Sequence, residues 1–148
     1  IVVVSSSPQI RYPDCYGIDM SKMGDFIAFN AAVELLKERK NTDLLTQMLD
    51  RCKDLARNNK LHEENVVQQL YKQFTATEIS AKIAQLITPP GLKVPVEVIF
   101  QTIEDLHKAC PNNLGDWYFT GNYPTQGGNK VVNKAFMNYM EGRNVRGY

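Results

Sequence analysis

The sequence has little that would tie it to a membrane, to nucleic acid or to an oxidising compartment. Its three cysteines, Cys15, Cys52 and Cys110, are odd in number and widely spaced, with no CxxC pair. A disulfide framework and a zinc knuckle are therefore not expected, and a reduced cytoplasm is the compartment that fits. No secretory leader opens the chain, and its apolar runs fall far short of a membrane span. Charge of one sign is missing too. Seventeen lysines and arginines face 16 aspartates and glutamates, a net charge of +1 that gives no field for nucleic acid or an anionic surface. What is present is a chain of 148 residues, 43% hydrophobic, enough for one domain or a body with an added lobe.

The chain opens on an apolar run, Ile1–Val4, with no polar alternation. Such a strand suits the middle of a parallel sheet buried on both faces, so its neighbours are expected from a part of the protein upstream. A loop follows, then Ser21 as N-cap of a helix reaching Arg39. Leu44, Leu45, Met48, Leu49, Cys52, Leu55 and Ala56 recur at one-face helical spacing until Asn58-Asn59 breaks the run. Val66, Val67, Leu70, Tyr71 and Phe74 make a second stripe, and Thr75 to Glu78 reads as a capping box for a third helix. Residues 41–88 thus predict three helices packed on one another as an inserted lobe. Val94–Phe100 reads as a strand with Pro95 near its start. Thr102 caps a short helix to Cys110, Asp116–Phe119 reads as a strand, Gly121–Gly128 as a turn-rich loop and Val131–Met140 as a final helix. The tail 142–148 is expected to fray. The order predicts an α/β class, bordering on α+β, with 1–40 and 89–141 forming one body around the helical segment.

Several residues invite a chemical reading, and each has a plainer one. Glu104-Asp105 follow a strand, but Leu106-His107-Lys108-Ala109 offer neither glycine nor hydroxyl for a phosphate turn. Negative charge in the first turn of a helix is the simpler role, and Glu63-Glu64 read the same way. Gly121–Lys130 precedes a helix whose amides could meet an anion, yet no Ser or Thr follows Lys130, so a structural turn is favoured. His107 and Cys110 stand three apart on a helix, and two ligands make no metal site. Cys52, on an apolar stripe, reads as inert core, and Trp117, Tyr118 and Phe119 as packing.

Two stretches carry a resemblance. Val4-Ser5-Ser6-Ser7-Pro8-Gln9-Ile10-Arg11-Tyr12-Pro13-Asp14-Cys15-Tyr16-Gly17-Ile18-Asp19-Met20 closely resembles the SSPxIxxPxxYGID segment of glutamine phosphoribosylpyrophosphate amidotransferases, the amidophosphoribosyltransferases. Asp25-Phe26-Ile27-Ala28 stands where that family has an "ELIA"-like run. About a hundred residues on, Phe119-Thr120-Gly121-Asn122-Tyr123-Pro124-Thr125 is similar to the family's FTGxYPT. Two such stretches in the right order are more specific than either alone. The resemblance implies the carboxy-terminal part of a type I phosphoribosyltransferase-like domain, with 41–88 as a helical insertion. It implies a parent enzyme of purine synthesis. There, ammonia freed from glutamine by an N-terminal cysteine attacks C1 of phosphoribosyl pyrophosphate, with Mg²⁺ present, to give 5-phosphoribosylamine.

The departures from the family are as informative. Position 1 is Ile1, not a cysteine, and the paired acids and phosphate loop would lie upstream of it. This chain alone is therefore expected to be inactive, with no catalytic residue and no resident metal of its own. Its expected partners are the glutaminase and phosphoribosyl pyrophosphate-binding parts of the same chain, with a homo-oligomer left open. Some members carry an iron–sulfur cluster on a cysteine near YGID and a CxxC abutting FTGxYPT. Gly115 and Tyr118 occupy that CxxC and Cys15 is one place off, so no cluster is expected. By analogy with the family, Tyr16 and Asp19 are the substrate-side candidates, Asp19 as an outer-sphere partner of Mg²⁺. An N-cap role for Asp19 and packing for Tyr16 are the alternatives. The rival to the enzyme reading is a stand-alone helical interaction module or a pseudo-enzyme fragment.

Overall fold

A computed structural model describes residues 1–16, 20–113 and 115–147. The opening apolar run forms β1, Val2–Ser5, which pairs in parallel with β2, Glu97–Phe100, in the register Val3 opposite Val98 and Ser5 opposite Phe100. Parallel strands need a long crossover. Here it comprises a 3-10 turn at Met23–Asp25 and the helices α1 (Ile27–Glu38), α2 (Asp43–Arg57), α3 (Gln68–Tyr71) and α4 (Ala76–Ile87). After β2 come α5 (Ile103–Ala109), α6 (Trp117–Thr120) and α7 (Gln126–Met140). The architecture is mixed, mostly helical with a small parallel sheet, and falls in the broad α/β class.

Local chemistry explains the helix ends that were foreseen. Thr75 Oγ1 accepts from the Glu78 amide at 3.2 Å while Glu78 Oε2 accepts from the Thr75 amide at 2.8 Å, so two orphan donors are satisfied reciprocally. Thr102 Oγ1 accepts from the Asp105 amide at 3.0 Å. Asn59, with φ 58°, takes the left-handed conformation that stops α2.

The three helices of 41–88 do not pack chiefly on one another. α4 packs on α1 and β2, whereas α2 packs on α7 and α3. The reason is that the stripes face a common interior. Phe29 and Leu36 of α1, Met48 and Cys52 of α2, Leu70, Ile79, and Val132 and Phe136 of α7 are fully buried in one hydrophobic cluster. Phe29 meets Phe136 and Tyr139 edge-on, with centroids 6.3 and 4.8 Å apart. Asn133 joins the pieces. Its Oδ1 accepts from the Val66 amide, and its Nδ2 donates to the Leu61 and Glu64 carbonyls at 2.9 and 2.7 Å.

Four further expectations are corrected. Ser21 caps no helix: it is buried, and α1 begins after Phe26 with no side-chain cap. Asp116–Phe119 is not a strand. Trp117–Thr120 is a single helical turn, closed by Gly121 at φ 74°. The loop is shorter than expected because α7 starts at Gln126, with Gly127 and Gly128 in its first turn. Tyr123 lies directly on Gly128, where any Cβ would collide with it, so glycine here serves close packing rather than a turn. The tail 142–147 is not frayed. Asn138 Nδ2 holds the Arg146 carbonyl at 3.1 Å, and Gly147 sits against Val131 and Ala135.

β1 is also not buried on both faces. Val98 of β2 is buried against the helices, but its β1 neighbour Val3 is 43% exposed, and Val2, Val4 and Ile99, on the opposite face, are 59%, 71% and 45% exposed. Among the described residues nothing covers that face.

Candidate functional site

At the carboxyl ends of the two strands the chain leaves concave surface, where open α/β sheets place their ligands. One cavity of about 450 Å³ lies between Gln9, Arg11, Ser80 and the Gln101–Glu104 segment. A second, about 260 Å³, lies among Ser5, Ser7, Met20, Phe26 and Phe100. A larger hollow of about 630 Å³ runs between α4 and the Leu92–Val98 segment, away from both resembling stretches.

The two stretches that carry the resemblance touch each other. The Arg11 and Tyr12 amides both donate to the Tyr118 carbonyl, at 2.8 and 3.1 Å. Tyr123 Oη donates to the Pro13 carbonyl at 2.6 Å, and Tyr118 Oη to Asp14 Oδ1 at 3.2 Å. Gly121 is pressed so closely that a Cβ would come within 2.7 Å of the Tyr12 ring and 2.6 Å of Asn65. Its left-handed backbone is a second reason for glycine. Burial pushes the phenols of Tyr12, Tyr71 and Tyr123 well up, so all three stay neutral donors.

Tyr16 is 65% exposed, its amide donating to Asp14 Oδ1 at 3.0 Å and its ring edge-on to Trp117 at 6.0 Å. Packing against Trp117 is the contact seen. Asp19 lies outside the described residues. Glu104 and Asp105 stand in the first turn of α5, and the Lys108 ammonium, then the Thr102 hydroxyl, hold the Asp105 carboxyl below its ordinary range. Glu63 and Glu64 differ from expectation. They precede α3 and pair with Lys60 and Arg51.

His107 turns to Asp116, Nε2 to Oδ2 3.0 Å, and not to the exposed Cys110. Cys52 is buried on α2, its thiol pushed up to about 12 by burial and then by Glu64, which leaves no thiolate for chemistry. His62 lends only its carbonyl, to Asn129. Burial and the neighbouring Asp14 also raise the Cys15 thiol. Among the described residues no three His, Cys, Asp or Glu side chains gather as a metal site. Gly115, the first of the two positions set against the family's CxxC, lies against Trp117, and Tyr118, the second, gives its hydroxyl to Asp14.

Reading the sequence missed Gln9 and Arg11. Gln9 is 4% exposed; its Nε2 donates to the Ala76 carbonyl and to Ser80 Oγ, both at 2.8 Å. Its Oε1 accepts from Arg11 Nε and Nη2, at 3.2 and 2.7 Å. A polar residue beside Pro8 looks like any solvated loop position, so only a contact with distant α4 reveals it. No family model, curated protein or solved structure matches the chain.

Proposed function

We propose that this chain is the carboxy-terminal part of an amidophosphoribosyltransferase, the enzyme that transfers glutamine-derived ammonia to phosphoribosyl pyrophosphate. The observation that carries the reading is the direct contact between the two resembling stretches, Arg11 and Tyr12 on Tyr118 and Tyr123 on Pro13. Matches scattered by chance have no reason to be hydrogen-bonded neighbours. The bare face of β1 and β2 supports it as well, since a parallel sheet is ordinarily covered on both sides.

In this reading residues 1–40 and 89–141 complete the transferase domain and 41–88 is inserted within the β1–β2 crossover. The glutaminase nucleophile, the paired acids, the phosphate loop and the ligands of Mg²⁺ belong to upstream parts of the same cytoplasmic chain. Mg²⁺ would neutralise the pyrophosphate as it leaves C1. The residues described here supply no ligand set for it, so no step is assigned to them. Their work is to hold the strand ends and the Pro8–Tyr16 loop in place beside the reacting sugar, with Tyr16 and Asp19 on the substrate side. The 148-residue chain alone is inactive.

The test is to follow the coding frame upstream of Ile1 and assay the whole product for glutamine-dependent release of pyrophosphate from phosphoribosyl pyrophosphate. Activity in the long chain and none in the 148-residue chain supports the reading. A start codon directly before Ile1 would point instead to the helical interaction module, and activity in the short chain would end the assignment.

A further inference from the structure

A cleft of about 390 Å³ opens between the Arg11–Tyr12 loop, α3 and the Phe119–Asn122 turn, separate from the cavities inside the strand ends except at Arg11 and Ile103. Two cations line it, Arg11 and Lys72, and no acidic residue does. Among the described residues neither cation has a carboxylate partner within ion-pair distance, and the two share one cleft. Arg11 is held in place rather than waving in solvent. Two of its nitrogens are clamped on Gln9 Oε1, its guanidinium lies over the Tyr71 ring at 5.3 Å, and Tyr71 Oη donates to the Arg11 carbonyl at 2.9 Å. Gln9 is in turn fixed by α4. Such bracing leaves Nη1 without a partner among the described residues and removes most of the ordering entropy a ligand would otherwise have to overcome.

We propose that this cleft binds a small phosphate monoester, with Arg11 and Lys72 as its cationic contacts. Two cations without a carboxylate partner in one cleft suit a dianionic head, and the fixed guanidinium keeps Nη1 available to donate to a phosphate oxygen. Asn122 and Gln68, tied to each other through Gln68 Nε2 and Asn122 Oδ1 at 2.9 Å, also line the cleft and leave Gln68 Oε1 and Asn122 Nδ2 for a polar ligand body. A cavity of this size takes a small molecule and not a polymer. The proposal stands apart from the transferase reading and neither needs it nor follows from it.

Isothermal titration of the 148-residue chain at low ionic strength, with inorganic phosphate and with sn-glycerol 3-phosphate as probes, tests it. Saturable 1:1 binding of both is expected, with glycerol 3-phosphate the tighter because the cleft accommodates its carbon body. Arg11→Gln and Lys72→Gln should each weaken binding at least about tenfold, the loss of one charge-assisted contact. Lys130→Gln, on the exposed start of α7, should leave it unchanged. Among the described residues Lys72 makes no ion pair, so Lys72→Gln remains informative even where Arg11→Gln loosens the loop. No saturable binding, or an equal loss in Lys130→Gln, would overturn the site. Phosphate binding that gains nothing from the glycerol body would overturn the monoester assignment.

Discussion

The interior of the helical body and the sheet of β1 and β2 use the same kinds of residues in opposite ways. Phe29, Leu36, Val132 and Phe136 are 0% exposed, whereas Val2 and Val4 are 59% and 71% exposed although their strand is the most apolar run in the chain. Helical stripes pack on one another, and the main partner of β1 among the described residues is β2. Contiguous bare apolar residues of this kind are the sort of surface on which another part of a protein can dock. The lesson is that, among the described residues, the apolar side chains of the helices are mostly enclosed and those of the sheet are mostly exposed.

The contrast is broken most forcefully from the inside. Phe136→Ala is expected to cost about 3–5 kcal/mol by chemical denaturation, because its neighbours Phe29 and Val132 cannot collapse into the space. Asn133→Leu should cost about 3 kcal/mol, since the Val66 amide and the Leu61 and Glu64 carbonyls would be left buried without partners. Thr75→Ala removes half of the capping box of α4 and should cost about 1 kcal/mol.

The same box gives a pH signature. The Thr75 amide and hydroxyl, helped by Arg39, hold the Glu78 carboxyl below its ordinary range. A folded-state value below the unfolded one stabilises above the unfolded pKa, and that contribution disappears as pH falls through the folded value. The difference in Tm between the protein and Glu78→Gln should therefore be present at neutral pH and shrink through the acidic carboxylate range. A difference that grows on acidification would contradict the cap. The smallest effect belongs to the sheet. Val4→Asp in the 148-residue chain should change stability by no more than about 0.5 kcal/mol, because the side chain already faces water.

Features set by neighbours in sequence were legible, and those set by distant contacts were not. The stripe of Leu45, Met48, Cys52 and Leu55, the Thr75–Glu78 box and the Thr102 cap are local patterns, and each formed where expected. Trp117-Tyr118-Phe119 looked like a strand because aromatics favour one, yet the run has no strand to pair with and Gly121 closes it as a single helical turn. Gly127-Gly128 looked like a turn because glycine's other use, making room for Tyr123, depends on a ring brought down on it. At the site, Tyr16 and the two resembling stretches were visible in sequence. Their mutual contact, and the clamp of Gln9 on Arg11, required α4 and α6 to be in place.

The claim that the sheet side is open for the rest of a transferase is tested most directly by Val4→Asp in the full-length chain. Pyrophosphate release from phosphoribosyl pyrophosphate with ammonia as donor would be measured beside the unsubstituted enzyme. The account predicts a loss of at least about tenfold, the effect of burying an unpaired carboxylate in a covered sheet face, while the 148-residue chain tolerates the change. Full activity with Asp at position 4 would show that nothing covers this face and would contradict the account.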